Sequence, residues 1–328
     1  MQRDAVLTPK ENYLRAIRRQ SPVWVPMEND RSILKSLWMP IVERPTAAGK
    51  DVFGVEWAYN ADAEGGTYPS EKNLVLTDIT RWREQVVFPT VDDVDWERAR
   101  DWADSIDRES YLIEGRSEMG LFERTYLLMV MENALMAYYT DPEEMYELCG
   151  AIADYKIAVI GRFIEVIRPD MIWYGDDWGT QSNLFISPDL WRTIIKPHTK
   201  RIYDSIRARG VMVKQHSCGK IESVFGDLCE MGADMYNPCQ PCNDLKGLKE
   251  RYGDRICFCG GIDSQFVLSN PAATPEDVCV EVRRRMDELA GSCGGYLAGP
   301  SHTVPYDPAK LEAMRETIRT YGRAVYER

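Results

Sequence analysis

Residues 211–219, VMVKQHSCG, form an apolar run that ends in a glycine turn, a pattern typical of a strand. Helical stretches flank this strand, at 187–209 before it and at 220–230 after it. The same alternation continues in both directions, so that five consecutive strand–helix units occupy 171–326. Strands that alternate with helices predict βαβ units and a parallel sheet.

The N-terminal half can supply the remaining strands of a closed barrel. Residues 1–20 read as a helix, residues 29–100 as a mixed region with one or two short strands, and residues 111–113 as a strand; a helical insert is expected near 92–107. A barrel of eight strand–helix units needs about 250 residues plus insertions, which fits the 328 residues of the chain. We therefore predict one α/β domain over 1–328, a (β/α)₈ TIM-type barrel with an N-terminal helical and irregular extension.

The alternative fold is an open, doubly wound parallel sheet. The same alternation of strands and helices would build it. A dinucleotide-binding version carries a Gly-x-Gly-x-x-Gly turn directly after a strand, and the chain has none. The barrel is therefore the favoured fold.

The composition excludes several classes of protein. Hydrophobic residues make up 44% and charged residues 28%, which is ordinary globular usage and argues against disordered and fibrous chains. The formal net charge of −12 argues against a nucleic-acid partner, because such proteins neutralise phosphates with basic residues. No apolar run approaches the ~20 residues that span a bilayer, and the N-terminus lacks a secretory signal. With nine cysteines and no such signal, we expect a cytoplasmic protein with reduced thiols and no membrane association.

Polar side chains gather at the predicted strand ends, where the active site of a barrel lies. Two of the three histidines are among them, and unpaired polar groups of this kind would be unfavourable inside a core. Turns are polar in any protein, so the alternative is that these residues only mark where the chain turns. The candidates, with three aromatic residues as pocket walls, are Trp173, Tyr174, Asp176, Asp177, Trp178, His216, Cys218, Asn237, Gln240, Asp263, Ser301 and His302.

The pair His216-x-Cys218 is the sharpest of these signals. Residues i and i+2 of a strand point to the same side, so the imidazole nitrogen and the sulfur converge on one point. Both atoms are good zinc ligands, and Gly219 permits a close turn beside them. The alternative is a histidine that caps the next helix and a cysteine used as a small buried hydrophobe. The single CxxC at 239–242 has no second pair, and we interpret it as coincidence.

Three C-terminal segments resemble a known family. They are QHSCGKIESVFGDLCEMGADMYNPCQP at 215–241, CGGIDSQFVL at 259–268 and GGYLAGPSHTVPYDPAKLEAM at 294–314. With ENYLRAIRRQSPVWVPM at 11–27, they make the chain similar to the uroporphyrinogen decarboxylase superfamily over nearly its whole length, with 29–110 the weakest part. The resemblance implies a (β/α)₈ barrel, in agreement with the strand–helix count.

The resemblance also implies one of two chemistries. One branch of the superfamily decarboxylates uroporphyrinogen without a cofactor, and the other contains cobalamin-dependent methyltransferases that bind zinc through a His-x-Cys pair and a later Cys. This chain has His216-x-Cys218, and residues 27–31, MENDR, replace the Arg-Gln-x-Gly-Arg loop of the decarboxylases. A substrate with many carboxylates needs several cations, and few stand at the predicted strand ends. Both observations favour the methyltransferase branch.

The third zinc ligand stays open at this point. Where the methyltransferases carry their later Cys, this chain has Ser301, with His302 beside it. His302 could be the third ligand, or an acid such as Asp176 or Asp177 could take that place, since zinc accepts either donor. A third arrangement is a site that holds no metal.

The resemblance implies a methyltransferase that moves a methyl group between a small molecule of methoxy, methylamine or thiol type and a corrinoid. The chain has no Asp-x-His-x-x-Gly cobalamin motif, so the corrinoid must arrive on a partner protein. The family includes monomers and dimers, which leaves a homodimer open. The expected roles are zinc ligation by His216, Cys218 and His302, catalysis by Asp176 and Asp177, and substrate binding by Tyr174, Trp178, Gln240, Asp263 and Ser301.

Two other functions remain open. The first is a metal-free decarboxylase, in which Asp176 or Asp177 protonates a carbanion or stabilises a cationic intermediate. The second is a barrel that binds a small molecule without catalysis. Loss of activity on substitution of Cys218 would favour the zinc methyltransferase over both.

Overall fold

The alternation of strands and helices predicted for the C-terminal half is present in the computed structural model, which describes residues 7–61, 66–70, 74–92, 94–302 and 304–327. Within these ranges lie ten strands: β1 (Leu34–Trp38), β2 (Gly49–Lys50), β3 (Glu56–Tyr59), β4 (Thr67–Pro69), β5 (Leu112–Ser117), β6 (Met171–Gly175), β7 (Met212–His216), β8 (Met235–Asn237), β9 (Cys257–Ile262) and β10 (Tyr296–Pro300).

Twelve α-helices lie in the same ranges, together with 3₁₀ turns at Ile79–Arg81 and Glu222–Val224 and π-helical turns at Trp191–Ile195 and Ser264–Leu268. None of these helices combines the length and the apolar character needed to cross a membrane. The helices are α1 (Pro9–Arg18), α2 (Trp82–Gln85), α3 (Trp96–Asp104), α4 (Leu121–Met129), α5 (Met131–Thr140), α6 (Pro142–Ile167), α7 (Pro188–Leu190), α8 (Lys196–Arg207), α9 (Phe225–Met231), α10 (Leu245–Tyr252), α11 (Pro275–Leu289) and α12 (Pro308–Ala324).

Seven strands form one curled parallel sheet in the order β1-β5-β6-β7-β8-β9-β10. Beyond β10, Met27 makes a single parallel bridge to Ala298, with hydrogen bonds from Glu28 N to Ala298 O (2.9 Å) and from Ala298 N to Pro26 O (2.9 Å). The predicted parallel α/β fold is therefore confirmed. Closure into eight paired strands is not, because the described residues give seven strands and this one bridge.

The N-terminal region is more regular than the sequence suggests. Strand β1 belongs to the main sheet, where it pairs with β5, and β2–β4 form a separate antiparallel sheet. Helix α1 begins at Pro9, later than the predicted residue 1, because Thr8 and Glu11 form a capping box there. Residues 1–6 of the predicted first helix lie outside the described residues. The strand predicted at 111–113 is longer than expected and ends at Ser117, which moves its C-terminal end to the edge where the other strands end.

The two faces of the sheet carry different cores, because successive strand residues point to opposite sides. Leu112 and Met171 belong to an inner apolar cluster that includes Tyr13 and Ile17 of α1. The next residue along each strand, Ile113 after Leu112 and Ile172 after Met171, belongs to an outer apolar cluster. That outer cluster takes in residues of the surrounding helices. Each strand therefore contributes alternate side chains to the interior of the curled sheet and to the packing of the helices.

A buried chain of charged side chains occupies the interior, nearer the C-terminal ends of the strands. Lys214 lies 2.7 Å from Glu28 and 3.3 Å from Glu114, and Glu114 lies 2.7 Å from Arg116. Lys214, Glu28 and Glu114 are each at most 1% exposed. Burial alone would lower the pKa of Lys214, but the charges of Glu114 and Glu28 outweigh it and raise that pKa well above its ordinary value. Lys214 is therefore charged at every physiological pH.

Removal of the Lys214 charge tests this arrangement. In Lys214→Met the two buried carboxylates lose their common partner, so we expect the free energy of unfolding to fall by about 3–5 kcal/mol in a urea titration. The control is Lys200→Met, since Lys200 forms an exposed i,i+4 pair with Asp204, and its loss should change stability by less than about 0.5 kcal/mol. If both variants unfolded like the wild type, the buried charged side chains would make no net contribution to stability.

Candidate functional site

His216, Cys218 and Asp177 converge at the C-terminal ends of β6 and β7. The Nε2 atom of His216 lies 3.6 Å from Cys218 Sγ and 3.5 Å from Asp177 Oδ1. The Asp177 Oδ1 atom also accepts a hydrogen bond from the Cys218 backbone N–H (2.7 Å), which ties the two loops together. Within the described ranges these three residues form the one group whose ligand atoms all lie within 4.8 Å of one another.

The spacing of these atoms fits a tetrahedral metal ion. With bond lengths of about 2.3 Å to sulfur and 2.0–2.2 Å to nitrogen or oxygen, two ligands of one tetrahedral zinc are separated by roughly 3.3–3.6 Å. The two distances from His216 Nε2 match this separation. All three residues are partly exposed, so an ion and a small molecule could both reach them.

The hydrogen bonds behind His216 determine which of its ring nitrogens faces the group. Asn237 donates its amide N–H to Glu28 Oε1 (2.5 Å), which turns its carbonyl oxygen toward His216 Nδ1 at 2.5 Å. Trp173 Nε1 donates to the same oxygen (3.3 Å). Because this oxygen can only accept, the neutral imidazole carries its proton on Nδ1 and its lone pair on Nε2. The side chain of Asn237 therefore orients His216 so that Nε2 could bind a metal ion.

Two indole rings lie beside this group, on the interior face of the sheet. The Trp173 ring packs on the His216 ring, with centroids 4.5 Å apart, and Trp38 meets Trp173 edge-on at 5.7 Å. The guanidinium of Arg116 lies within 5.9 Å of the centroids of both indoles. Trp38 is 47% exposed, so this wall opens to solvent.

A cavity of about 430 Å³ is lined in part by four of the residues predicted to bind substrate or metal. Its size is in the range of small-molecule sites. Gln240 connects it to the His216 group, because its Oε1 accepts a hydrogen bond from Gly219 N (2.6 Å), next to Cys218. The lining includes Gln240, Cys242, Asp263, Phe266, Ser301 and His302.

Two of the cavity residues also support the backbone of its wall. Asp263 accepts a hydrogen bond from Phe266 N (2.8 Å) and so caps the turn that follows β9. Ser301 Oγ accepts from Ser264 N (3.1 Å) in the same turn. These oxygens hold the wall in shape, and their predicted contact with substrate stays a prediction.

His302 does not join the group that contains His216. It follows β10, and two strands separate β10 from β7 in the sheet order. Its backbone carbonyl accepts from Tyr306 Oη (2.6 Å), and its side chain lies on the cavity wall. The acid alternative is the arrangement that the geometry supports, since Asp177 takes the third position.

Tyr174 and Trp178 are buried in the outer core, away from the cavity. Tyr174 alternates with Trp173 along β6, so it points to the helices and packs edge-on against Tyr203. Trp178 is 1% exposed and packs against Trp191 at 4.8 Å. Both were predicted as pocket walls. For Tyr174 the prediction did not use the alternation of side chains along the strand, and Trp178 lies beyond the end of β6.

Asp176 is fully buried and caps helix α4. Its two carboxylate oxygens accept from the backbone N–H groups of Phe122 (3.2 Å) and Glu123 (3.0 Å). Burial raises its pKa to about 6, although these hydrogen bonds oppose the shift. Its contacts are those of a helix cap, and nothing in this placement brings it to the open side of the site.

Glu123 is a site residue that the sequence analysis missed. Burial, followed by the charges of Asp177 and Asp176, raises its pKa well above the ordinary value, and Tyr126 Oη lies 3.3 Å from its Oε1. Such a carboxyl keeps its proton at higher pH than a free glutamate. Arg116 was missed because it lies beyond residue 113, where the prediction ended β5.

Comparisons with known proteins agree with this architecture. The family model for uroporphyrinogen decarboxylase (URO-D) matches residues 110–321. A uroporphyrinogen decarboxylase from Nocardia farcinica is 27% identical over 215 residues, which are 64% of this chain and 55% of that protein, so the chain matches about half the length of this relative. The solved structure of a methyltransferase from Methanosarcina mazei superposes with a TM-score of 0.73 at 14% identity, covering 96% of this chain and 99% of that one. The latter likeness is one of fold.

Substitution of Asp176 tests its part as a helix cap. In Asp176→Ala two backbone N–H groups of α4 lose their acceptor, so we expect the free energy of unfolding to fall by about 2 kcal/mol. Asp189→Ala is the control. That side chain is 96% exposed, and its removal should change the free energy of unfolding by less than about 0.5 kcal/mol. Equal stability of the two variants in chemical denaturation would contradict the cap.

Proposed function

The chain belongs to the uroporphyrinogen decarboxylase family, and on that premise we propose that it is a zinc-dependent methyltransferase. It moves a methyl group between a small molecule and a corrinoid carried by a partner protein. The observation that carries this proposal is the convergence of His216 Nε2, Cys218 Sγ and Asp177 Oδ1 at the strand ends. A decarboxylase that works without a cofactor has no need of such a group.

The donor set suits zinc. Imidazole nitrogen, thiolate sulfur and carboxylate oxygen are its usual ligands, and three protein ligands leave a fourth position for substrate, as in catalytic zinc sites. Zinc in this place would supply Lewis acidity, either to an ether oxygen that leaves or to a thiol that must ionise. Calcium and magnesium prefer sites made of oxygen atoms alone, which these residues do not form.

The chain's own residues have three tasks in this proposal. Asn237 keeps the proton on His216 Nδ1, so that Nε2 is ready to bind without rearrangement. Asp177 holds the Cys218 backbone through its hydrogen bond and so fixes the distance between the two loops. The partial exposure of all three ligands leaves the fourth position open to a molecule of methoxy, methylamine or thiol type.

The corrinoid partner is proposed on two grounds. The sequence has no cobalamin-binding motif of its own. The fold matches that of a protein described as a methyltransferase over nearly the full length of both chains, which supports methyl transfer as the reaction.

We infer further that residues 25–28 take the eighth position of a barrel, since Met27 bridges to β10 and Glu28 reaches Asn237 on β8.

The metal content of purified protein tests the zinc site. We expect about one zinc per chain in the wild type, by mass spectrometry of protein purified without added metal, and almost none in Cys218→Ser. Cys242→Ser is the matched control: Cys242 is a partly buried thiol on the cavity wall outside the three-residue group, and its zinc content should equal that of the wild type.

Two results would contradict the zinc mechanism. One is a wild-type protein that neither contains zinc nor takes it up on titration. The other is full activity of Cys218→Ser, which is the behaviour expected of a metal-free decarboxylase. Equal loss of zinc in the Cys242→Ser control would show that the ligands are other than those proposed.

Removal of the Asn237 side chain tests how His216 is held. We expect Asn237→Ala to bind zinc about 10- to 100-fold more weakly in a chelator competition, because the imidazole loses the acceptor that fixes its tautomer and orientation. In the metal-free protein the ¹⁵N shifts of the ring should change from an Nδ1–H form to a mixture, and with three histidines in the chain the signals are easily assigned. Asn270→Ala, which loses only local backbone contacts, is the control. Unchanged affinity in Asn237→Ala would contradict this role.

A further inference from the structure

Arg116 occupies an unusual place for a cation, at the end of β5 between two indole rings. Its guanidinium carbon lies 5.4 Å from the centroid of Trp38 and 5.9 Å from that of Trp173. Trp173 in turn packs on His216. One aromatic ring therefore separates the guanidinium from the proposed metal ligand, and the exposed face of Trp38 lies beside it.

Only part of the guanidinium is used by the protein. The Nε atom of Arg116 donates to Glu114 Oε1 (2.7 Å), and Glu114 is held in place by Ser36 and Lys214. Among the described residues, neither Nη atom of Arg116 has a hydrogen-bond partner. About a quarter of the side chain is exposed to solvent. The outer edge of the guanidinium thus offers a pair of parallel donors, which is the geometry that recognises a carboxylate.

We propose that Arg116 binds the carboxylate of an aromatic substrate, whose ring lies against Trp38 and Trp173. This inference rests on the proposed function, because it assigns the substrate of the same site. A substrate held in this way has its carboxylate on the two Nη atoms, and the opposite end of its ring extends toward the group formed by Asp177, His216 and Cys218. The methylated oxygen or nitrogen belongs at that opposite end.

The surroundings of Arg116 explain why an arginine suits this place and how strongly we expect it to bind a carboxylate. Indole faces attract a guanidinium and stack with an aromatic ring, so the same wall serves both parts of the ligand. Glu114 already neutralises part of the Arg116 charge. We therefore expect a bound carboxylate to gain roughly tenfold in affinity, near the lower limit for a hydrogen bond to a charged group.

Calorimetric titration of metal-free protein tests the proposal without any reaction. The probes are 4-methoxybenzoate and the neutral 4-methoxybenzamide, which have the same ring and ether. The wild type should bind the benzoate roughly tenfold more tightly than the benzamide. Arg116→Gln should lose this preference and bind both probes alike. Arg319→Gln is the matched control, since Arg319 is an exposed arginine on α12 that pairs with Glu316, and it should keep the wild-type preference.

Three results would overturn the proposal: no binding of the benzoate at millimolar concentration, equal affinity of the wild type for both probes, or an unchanged preference in Arg116→Gln. The comparison of the two probes in the wild type needs no variant, so a misfolded Arg116→Gln would not prevent the test. Zinc content is measured separately. Absent zinc with a preserved preference for the benzoate would reject the zinc methyltransferase alone, and bound zinc without the preference would reject the carboxylate site alone.

Discussion

The buried ammonium of Lys214 is the interaction on which the rest of this structure depends. It joins Glu28 from the N-terminal segment and Glu114 from β5 in an interior where an unpaired charge would be costly. Each of these carboxylates has a second partner near the strand ends, Asn237 for Glu28 and Arg116 for Glu114. The charged layer is thus a support for the layer above it, where the chemistry is expected.

This charged layer positions two side chains, His216 and Arg116. Through Glu28 and Asn237 it determines the tautomer of His216, and so turns Nε2 toward the proposed metal position. Through Glu114 it holds one edge of Arg116 and leaves the other edge available. Because His216 lies two residues after Lys214 on the same strand, both project to the same side. Organisation of this kind lowers the reorganisation that binding would otherwise require.

The sequence predicted the alternation of strands and helices and the convergence of His216 with Cys218, because both follow from local periodicity and spacing. It could not choose the third member of the group, since the choice between Asp177 and His302 depends on which strands are neighbours in the sheet. Tyr174 was misplaced because one step along a strand reverses the face. Arg116 was missed because β5 continues four residues beyond its apolar start, through the buried Glu114 and through Gly115 to the partly exposed Arg116. Long-range pairing of charges, such as Glu28 with Lys214, leaves no local pattern in a single sequence.

The proposed zinc ion has one sulfur, one imidazole nitrogen and carboxylate oxygen as its protein ligands. X-ray absorption at the zinc edge, on protein loaded with one equivalent of zinc, counts these neighbours directly. We expect a single sulfur at about 2.3 Å, with the remaining ligands being nitrogen and oxygen at about 2.0–2.2 Å, one of them with the outer-shell scattering of an imidazole. A spectrum with two sulfur neighbours, or with none, would contradict the assignment of Asp177, His216 and Cys218 as the ligands.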